Sequence, residues 1–394
     1  MMKRRLGVRV GSLSLVAMLL ASCAVQPPKG ILNYRNVMRT APIVRVALVT
    51  DEPQASIGVS GAFTACSLRT GAVLMNAPGL PVSPAQAGDG CIWLGGNSLA
   101  ATEVKIIPER DGGVNVNGSY YRGQLVIRNR GGALTVLNLV DMERYLASVV
   151  GSEAIETWPE DALRAQAVVA RTYALYKLKA SSARAYDVTA TTDDQVYLGT
   201  ARETGKLRQV VKDTTGIAVL WKGQVFPTYF HSTCAGHTEE VSRALKYESI
   251  PPLRGVPCNY CTSSKYYGWW TVNVDAEALS GLMRRKAKGV GTVTNIEPLE
   301  IGASGRALRV RVTGTGGTTV MNAYDFRKLV GASQIRNTNF QVRNYGSYFQ
   351  ILGRGWGHGV GMCQFGAKGL AEKGYGFAAI LRYYYPGADL AYLY

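Results

Sequence analysis

A single glutamate stands at a position that suits acid catalysis. Glu153 follows the apolar run 145–150 and precedes Trp158-Pro159, so it lies in a short link between two predicted helices. Burial near an aromatic ring raises the pKa of a carboxyl group and allows it to donate a proton near neutral pH. From position alone, a solvated loop glutamate is the better interpretation. Gln166 and Arg171, on the second helix, are either buried polar groups that hold this link or exposed helix residues.

A glycine-rich segment carries the next candidates. Residues 353–361 alternate glycine with Arg, Trp, His and Val. In an extended segment these four side chains project from one face, and the bare opposite face lets another surface approach closely. An exposed edge with Arg, Trp and His suits sugar recognition, whereas tight core packing of a glycine strand is the alternative. The candidate substrate-binding residues are Arg354, Trp356, His358, Gln364, His231, Gln166 and Arg171.

Cysteines and a histidine form a third group. Cys234 and His237, followed by Cys258 and Cys261, have the spacing of zinc ligands. Two close pairs favour a closed structural zinc site, in which His231 is an alternative fourth ligand. A disulfide among these cysteines, or free thiols, remain open alternatives. No cofactor is predicted for catalysis.

Composition and motifs exclude several classes of protein. Gly-x-Gly-x-x-Gly and Gly-x4-Gly-Lys-Ser/Thr are absent, so dinucleotide and nucleotide chemistry have no support, and His-Glu-x-x-His is absent as well. The 394 residues are 47% hydrophobic and 18% charged, which supports a large core and excludes extended disorder. Lys and Arg outnumber Asp and Glu by 44 to 27, a net charge of +17. For an exported protein this charge favours anionic envelope polymers or lipid headgroups over nucleic acid, with solubility alone as the alternative.

The N-terminus has the pattern of an export signal. Lys3, Arg4 and Arg5 precede a short apolar run that ends in Leu-Ala-Ser-Cys. This resembles a bacterial lipoprotein signal and predicts a signal peptide over 1–22, lipid on Cys23 and a tether over 23–40. An ordinary signal peptide with an incidental cysteine is the alternative. We expect the chain at the cell envelope: at the outer membrane or in the periplasm if the cell has two membranes, and otherwise on the outer face of the cytoplasmic membrane.

Export implies an oxidising compartment, in which cysteines tend to pair. Cys66–Cys91 is the simplest disulfide to predict, because it would close a surface loop rich in Pro and Gly.

The elements that must position these residues indicate an α+β fold with mixed and antiparallel sheets. Short β-type runs fill 41–130, beginning with a strand over 43–49. Asp141 caps a helix through Val150, and Thr157-Trp158-Pro159-Glu160 predicts a capping box for a helix over 158–180. Further hairpins are predicted at 125–140, 217–231 and 308–321, and shorter helices at 276–286, 323–330, 364–373 and 376–385.

Four stretches carry a family resemblance: ERYLASVVGSEAIETWPEDALRAQAVVARTYAL (143–175), QVYLG (195–199), YFHSTCAGHTE (229–239) and GRGWGHGVGMCQFGAKGLAEKGYGFAAILRYYYPGADL (353–390). On these motifs the chain resembles the stage II sporulation protein D family, also called the SpoIID/LytB or amidase-enhancer family, over nearly all of 43–394. The resemblance implies one interwoven catalytic domain over 131–394 that cleaves peptidoglycan glycan strands whose stem peptides have been removed. It also implies that Glu153 is the catalytic acid.

The implied enzyme, a lytic transglycosylase, uses one acid where most glycosidases use two. The C6 hydroxyl of N-acetylmuramic acid (MurNAc) closes on its own C1, which gives a 1,6-anhydro end. One alternative is a lipoprotein without catalysis that binds glycan or an N-acetylmuramoyl-L-alanine amidase and enhances the amidase. Another is a thiol hydrolase that uses Cys363 and His358.

The sequence departs from the family pattern in two places. Residues 186–195 hold neither Cys nor His, so the metal site that some members have there is not expected. The usual serine of the last motif is Cys363, so either a thiol replaces the hydroxyl or no hydroxyl is needed.

Overall fold

The computed structural model describes residues 30–34, 38–110, 112–245, 247–286 and 289–394. The predicted signal peptide, the lipidation site Cys23 and most of the predicted tether lie outside these ranges. Within them the fold is α+β, as expected. None of the helices in the described ranges combines the length and the apolar character needed to cross a membrane.

The N-terminal part consists of short strands joined by turns. They are β1 (Ile31–Asn33), β2 (Ile43–Glu52), β3 (Gln54–Val59), β4 (Phe63–Ser67), β5 (Val73–Ala77), β6 (Leu80–Ala87), β7 (Ile92–Leu94), β8 (Asn97–Leu99), β9 (Glu103–Pro108), β10 (Val114–Val116), β11 (Ser119–Tyr121), β12 (Gln124–Arg130) and β13 (Ala133–Asp141). The predicted first strand and the hairpin at 125–140 are confirmed. Gly131 and Gly132 turn this hairpin with φ of 60° and 85°, a conformation that favours glycine.

The helices that follow are α1 (Met142–Glu153), α2 (Glu160–Ala180), α3 (Gly205–Asp213), α4 (Val241–Ala244), α5 (Ala276–Arg285), α6 (Ala323–Val330), α7 (Gln364–Glu372) and α8 (Phe377–Tyr384). Asp141 caps α1 through the backbone N–H groups of Glu143 and Arg144, as predicted. The capping box at Thr157 is wrong, because α2 begins two residues later with Pro159 at its N-cap and no side-chain cap.

The remaining strands are β14 (Val188–Thr189), β15 (Ile217–Trp221), β16 (Gln224–Val225), β17 (Phe230–His231), β18 (Gly236–His237), β19 (Pro257–Cys258), β20 (Trp269–Asp275), β21 (Val293–Ile301), β22 (Ala307–Gly314), β23 (Gly317–Asn322), β24 (Phe340–Asn344), β25 (Tyr348–Arg354), β26 (Met362–Cys363) and β27 (Asp389–Tyr392). The hairpin predicted over 217–231 is shorter than expected. Its second strand ends at Val225, and β17 pairs in parallel with β26 instead.

The strands form two large sheets and several small ones. A seven-stranded sheet has the order β14-β2-β13-β12-β9-β4-β5, and a six-stranded sheet has the order β11-β10-β3-β6-β7-β8. Cys66 lies on β4 in the first sheet, and Cys91 directly precedes β7 in the second. Both thiols are free. No bond joins their sulfur atoms in the structure, which contradicts the predicted Cys66–Cys91 disulfide.

Helix α2 lies at the centre of the molecule. One face joins a core with α1 and the two large sheets, and the other joins a second core with β15, α7, α8 and β27. A helix buried on both faces needs small apolar residues nearly all round, which explains its Ala/Val-rich sequence. The predicted boundary at 130/131 stays a prediction, since the first core draws residues from both sides of it.

A third core has its buried members, within the described ranges, between Trp270 and Ile351. It joins the three-stranded sheets β20-β25-β24 and β21-β22-β23 with helices α5 and α6. We call this part of the chain, 269–354, the inserted module, because the chain leaves the second core at 261 and returns to it at 360.

Candidate active site

The C-terminal end of α1 meets a cleft of about 790 Å³ between the central helices and the inserted module. Glu153, the last residue of α1, lines one wall together with Tyr173, Asp194, Tyr229 and His231. The opposite wall comes from Tyr324, Arg327 and Lys328 of α6, and from Trp356 and His358. A cleft of this size holds an extended ligand such as a short stretch of polymer.

Glu153 is held by its backbone and by one carboxylate oxygen. The Val196 N–H donates to Glu153 Oε1 at 2.8 Å, and Gln364 Nε2 donates to the Glu153 carbonyl oxygen at 3.0 Å. Gln364 Nε2 also lies 3.3 Å from Gln166 Oε1. The second carboxylate oxygen of Glu153 has no hydrogen bond within the described ranges. One oxygen therefore fixes the carboxyl group, and the other is free to carry a proton.

The surroundings of Glu153 favour its protonated form. Burial raises the pKa of Glu153 above its ordinary value, and the hydrogen bond from Val196 opposes this only in part. The C-terminal end of a helix carries partial negative charge, which disfavours a carboxylate in the same way. This is the environment expected of a general acid.

Asp194 is the nearest alternative acid, but other groups already occupy its oxygens. Lys177 Nζ lies 2.7 Å from Oδ1, the Tyr173 hydroxyl donates to the same oxygen at 3.0 Å, and the Thr189 N–H donates to Oδ2 at 2.8 Å. An aspartate whose oxygens are occupied in this way is a poor nucleophile. Glu153 is therefore the better candidate for acid chemistry.

The two histidines on the cleft are fixed as neutral rings. His358 Nε2 donates to the Phe230 carbonyl oxygen at 2.9 Å, and its Nδ1 accepts from the Val360 N–H at 3.0 Å. His231 Nδ1 donates to the Val360 carbonyl oxygen at 3.1 Å, which leaves Nε2 without a partner among the described residues. Burial lowers the pKa of His358 to about 3 and also lowers the pKa of His231. These rings are held by backbone groups and do not supply protons.

The glycine-rich segment is not extended as expected. Gly355, Gly357, Gly359 and Gly361 all have left-handed φ, between 70° and 103°, so the side chains between them do not share one face. A Cβ at Gly357 would lie 2.7 Å from the His231 Cβ. The alternative interpretation, close packing of the bare backbone, therefore accounts for the glycines.

Of the side chains in this segment, Trp356 and His358 line the cleft and Arg354 does not. Arg354 Nε donates to the Tyr267 carbonyl oxygen at 3.2 Å, and its guanidinium lies over the rings of Tyr267 and Trp269 at 5.2 and 5.7 Å. Arg354 thus lies outside the cleft, since the left-handed turn at Gly355 stands between it and Trp356, and its contact with substrate stays a prediction.

Arg171 is likewise outside the cleft. It is fully buried, and its Nε and Nη2 donate to the two oxygens of Glu143 at 2.8 and 2.6 Å. The prediction of a substrate contact is therefore wrong. Gln166 is also buried outside the cleft lining, and it contributes through its contact with Gln364.

The substitution Glu143→Ala is expected to destabilise the fold by about 3 kcal/mol, because it leaves the buried Arg171 cation unpaired. The control is Glu160→Ala on α2, since Glu160 pairs with Arg164 at 2.6 Å while 54% of its side chain is exposed. An exposed pair of this kind is worth less than about 1 kcal/mol. Urea unfolding of both variants measures the difference, and equal losses would contradict the assignment of Arg171 to a structural role.

Four cysteines meet behind the cleft. The sulfur atoms of Cys234, Cys258, Cys261 and Cys363 all lie within 4.8 Å of one another, and the thiols are not joined as disulfides. The prediction of His237 as the fourth member is wrong: its Nδ1 bonds to the Thr238 carbonyl oxygen at 2.5 Å. Four thiols at this separation could hold a metal ion. The place of Cys363 in this cluster also removes the basis for a thiol hydrolase with His358.

A buried cation accompanies the cluster. Arg306 is fully buried, and its Nη2 and Nη1 donate to the carbonyl oxygens of Cys234 and His237, each at 2.8 Å. A guanidinium at this position balances negative charge on the sulfur atoms, since four thiolates around a divalent ion carry a net charge of −2. The donor set and its counter-charge therefore fit a metal centre.

Comparison with known proteins yields two family models. One, described as Stage II sporulation protein (SpoIID), matches residues 130–221, which include Glu153 and Val196. The other, a domain of unknown function (DUF8618), matches residues 258–361, which include the inserted module.

Relatives extend the similarity over most of the chain. An uncharacterized protein of Brachyspira hyodysenteriae is 30% identical over 88% of this chain and 92% of its own length. Stage II sporulation protein D of Bacillus subtilis is 29% identical over 64% of this chain and 75% of its own length. The chain belongs to the SpoIID family.

A further relative is the Bacillus subtilis protein named Amidase enhancer, which is 27% identical over 62% of this chain but only 40% of its own length. Within this SpoIID family chain, the SpoIID model covers the wall that holds Glu153, and the domain of unknown function covers the wall formed by α6. The cleft thus lies between two segments that match different families.

Proposed function

We propose that the chain is a peptidoglycan lytic transglycosylase. It cleaves the bond between MurNAc and N-acetylglucosamine in glycan strands that lack stem peptides, and it leaves 1,6-anhydro-MurNAc ends. The observation that carries this proposal is Glu153, a cleft carboxyl with a raised pKa and one oxygen free of hydrogen bonds.

The proposed reaction needs one acid that acts twice. Glu153 donates its proton to the glycosidic oxygen as the bond from C1 breaks, and the substrate's own N-acetyl oxygen stabilises the positive charge that develops at C1. The resulting carboxylate then takes the proton from the C6 hydroxyl as O6 bonds to C1. Glu153 ends protonated, no water is consumed, and the sugar ring is closed.

The rest of the cleft agrees with a mechanism that has one acid. Asp194 is held by Lys177 and Tyr173, so it is not available as the nucleophile that a retaining glycosidase requires. The rings of His231 and His358 stay neutral because burial lowers the pKa of both. Attack by the substrate's own C6 hydroxyl removes the need for a second protein carboxylate.

Digestion of purified glycan tests the activity. Glycan strands stripped of stem peptides are incubated with the full chain, and mass spectrometry is used to find 1,6-anhydro-MurNAc ends; we expect these ends to accumulate. If no such ends form, but the chain binds the strands or raises the rate of an added N-acetylmuramoyl-L-alanine amidase, the second candidate holds. That candidate is a glycan-binding amidase enhancer, and it is favoured by the name of one relative, Amidase enhancer.

The pH dependence of cleavage provides a separate prediction. Only protonated Glu153 donates, and its pKa is raised, so kcat/KM is expected to fall as pH rises through a value above the ordinary glutamate pKa of about 4.3. The histidines do not produce this fall, because the pKa of each is lowered. Initial rates between pH 4 and pH 8 measure the profile, and a rate that increases across this range would contradict the role of general acid.

We also propose that the chain works at the cell envelope, held by lipid on Cys23, where an amidase supplies its substrate. Removal of a stem peptide frees one lactyl carboxylate on each MurNAc, so the product of an amidase is a regular polyanion. A protein with a net charge of +17 attracts such a polymer.

The metal ion that we propose for the four-cysteine cluster is zinc, in a structural role. Cys234, Cys258, Cys261 and Cys363 would hold it in a closed site that leaves no position for substrate. Elemental analysis of the purified chain is expected to give one zinc per molecule. His237→Ala, a change outside the cluster, should leave that content unchanged, whereas Cys261→Ser should reduce it.

A further inference from the structure

Helix α6 presents a row of polar side chains to the cleft. Phe326 is buried in the third core, whereas Tyr324, Arg327 and Lys328 line the cleft. Residues separated by three or four positions lie on the same face of a helix. Asn322 fixes the start of α6 by accepting from the N–H groups of Tyr324 and Asp325. The inserted module forms part of the wall opposite Glu153, and from this wall it presents two cations to the cleft.

Arg327 is buried without an acidic partner. It is 6% exposed, its Nε donates to the Arg336 carbonyl oxygen at 3.3 Å, and its guanidinium lies 5.6 Å from the centre of the Tyr324 ring. No carboxylate of the described residues forms an ion pair with it. Burial of an unpaired charge is costly, and here it lowers the pKa of Arg327.

The other fully buried arginines are compensated. Arg171 has the Glu143 carboxylate, and Arg306 has the cysteine cluster and two carbonyl oxygens. Arg327 differs in that it faces a cleft where an anion can enter. An arginine that remains charged while buried beside an open cleft is typical of a site whose counter-charge arrives with the ligand.

The groups around Arg327 do not supply that counter-charge. Its positive charge contributes to the lowered pKa of His358, which places it within electrostatic range of that neutral ring. Lys328 is already paired, with Asp325 at 3.2 Å. On the opposite wall, Asp194 is paired with Lys177. Among the described residues that line this wall, Arg327 is the cation that has no carboxylate partner.

We propose that Arg327 is a specificity-determining residue that binds the lactyl carboxylate of a MurNAc unit. This inference rests on the proposed function for the class of substrate. A guanidinium binds a carboxylate strongly and with defined geometry. An intact stem peptide converts the lactyl carboxylate into an amide and removes its charge, so Arg327 would select strands on which an amidase has already acted.

The test compares two substrates on matched variants, all of which carry Glu153→Gln so that binding is measured without cleavage. One substrate is peptide-free glycan, and the other is the same glycan with its lactyl carboxylates converted to methylamides. The parent is expected to bind the carboxylate form about 10-fold or more tightly, the range of a charge-assisted hydrogen bond. Adding Arg327→Gln should bring this preference close to 1 while the affinity for the methylamide form stays unchanged.

The control is Arg309→Gln, which removes an exposed arginine of the same module that pairs with Glu300 at 3.2 Å. Both substitutions remove one positive charge from the same module, but Arg309 does not line the cleft, so this control should keep the full preference. Equal loss in both variants, or no loss with Arg327→Gln, would overturn the proposal. If Arg327→Gln fails to fold, the parent and Arg327→Lys are compared instead. Equal affinity of the parent for the two glycans, or a preference that Arg327→Lys leaves unchanged, overturns the proposal, and a preference that Arg327→Lys weakens supports it.

The binding test of Arg327 can succeed or fail independently of the digestion test of the proposed activity. A preference that depends on Arg327, found in a chain whose native form yields no 1,6-anhydro ends, would retain the binding site and reject the transglycosylase. Anhydro ends formed equally well from both glycans would do the reverse.

Discussion

Replacing Glu153 with glutamine is expected to lower the rate of formation of 1,6-anhydro ends by about 100- to 10,000-fold, the usual contribution of a general acid. Glutamine keeps the shape of the side chain and can still accept from the Val196 N–H, but it has no proton to donate. The backbone contact with Gln364 is unaffected by the change. Binding of glycan is therefore expected to persist while turnover is lost.

The matched control is Glu156→Gln. Glu156 is exposed in the loop after α1 and does not line the cleft, so the activity of the Glu156→Gln variant should match that of the parent. Thermal unfolding of Glu153→Gln should show a fold at least as stable, because burial of the ionised carboxyl no longer opposes folding. Full activity in the glutamine variant would exclude Glu153 as the acid, whatever the binding data show.

Loss of the proposed zinc is expected to have the largest effect on the fold. The binding free energy of a structural zinc is about 10–16 kcal/mol in small peptides, which equals or exceeds the net stability of a typical domain of about 5–15 kcal/mol. Treatment with a strong chelator, or the substitution Cys258→Ser, should therefore lower the melting temperature sharply and abolish activity. Activity is affected because Cys363 directly precedes Gln364, which holds the Glu153 carbonyl oxygen.

Cys66→Ser is the control for this experiment, since Cys66 lies on β4, far along the chain from the cluster, and has a free thiol. It should keep both its zinc content and its melting temperature. Equal melting temperatures for Cys258→Ser and the parent, with and without chelator, would show that the cysteines pack without a metal.

Local patterns in the sequence were sufficient for most of the elements. The Asp141 cap, the Gly131-Gly132 turn and the helices near 276, 323, 364 and 376 depend on residues close together in the chain, and the structure confirms them. The capping box at Thr157 failed because Pro159 can take the extended N-cap conformation itself.

The site was harder to predict, because its residues meet only through tertiary structure. Spacing indicates Cys234, Cys258 and Cys261, but the fourth cysteine, Cys363, is more than a hundred positions further along, and its one sequence signal is that it replaces the family serine. Arg327 carried no motif at all. Its single signal was a cation three positions from Tyr324 on an otherwise ordinary amphipathic helix, and nothing in the sequence says that the helix faces Glu153.

The four sulfur atoms sit where the inserted module joins the rest of the protein. Cys258 and Cys261 precede its first strand, and Cys363 follows the segment by which the chain returns. An ion bound there would link the segment that precedes the inserted module to the segment that follows it. The distance across the cleft between Glu153 and the Arg327 guanidinium would then be set by a junction remote from both residues. Exchange of the inserted module for another would therefore change the ligand that is recognised and leave Glu153 in place.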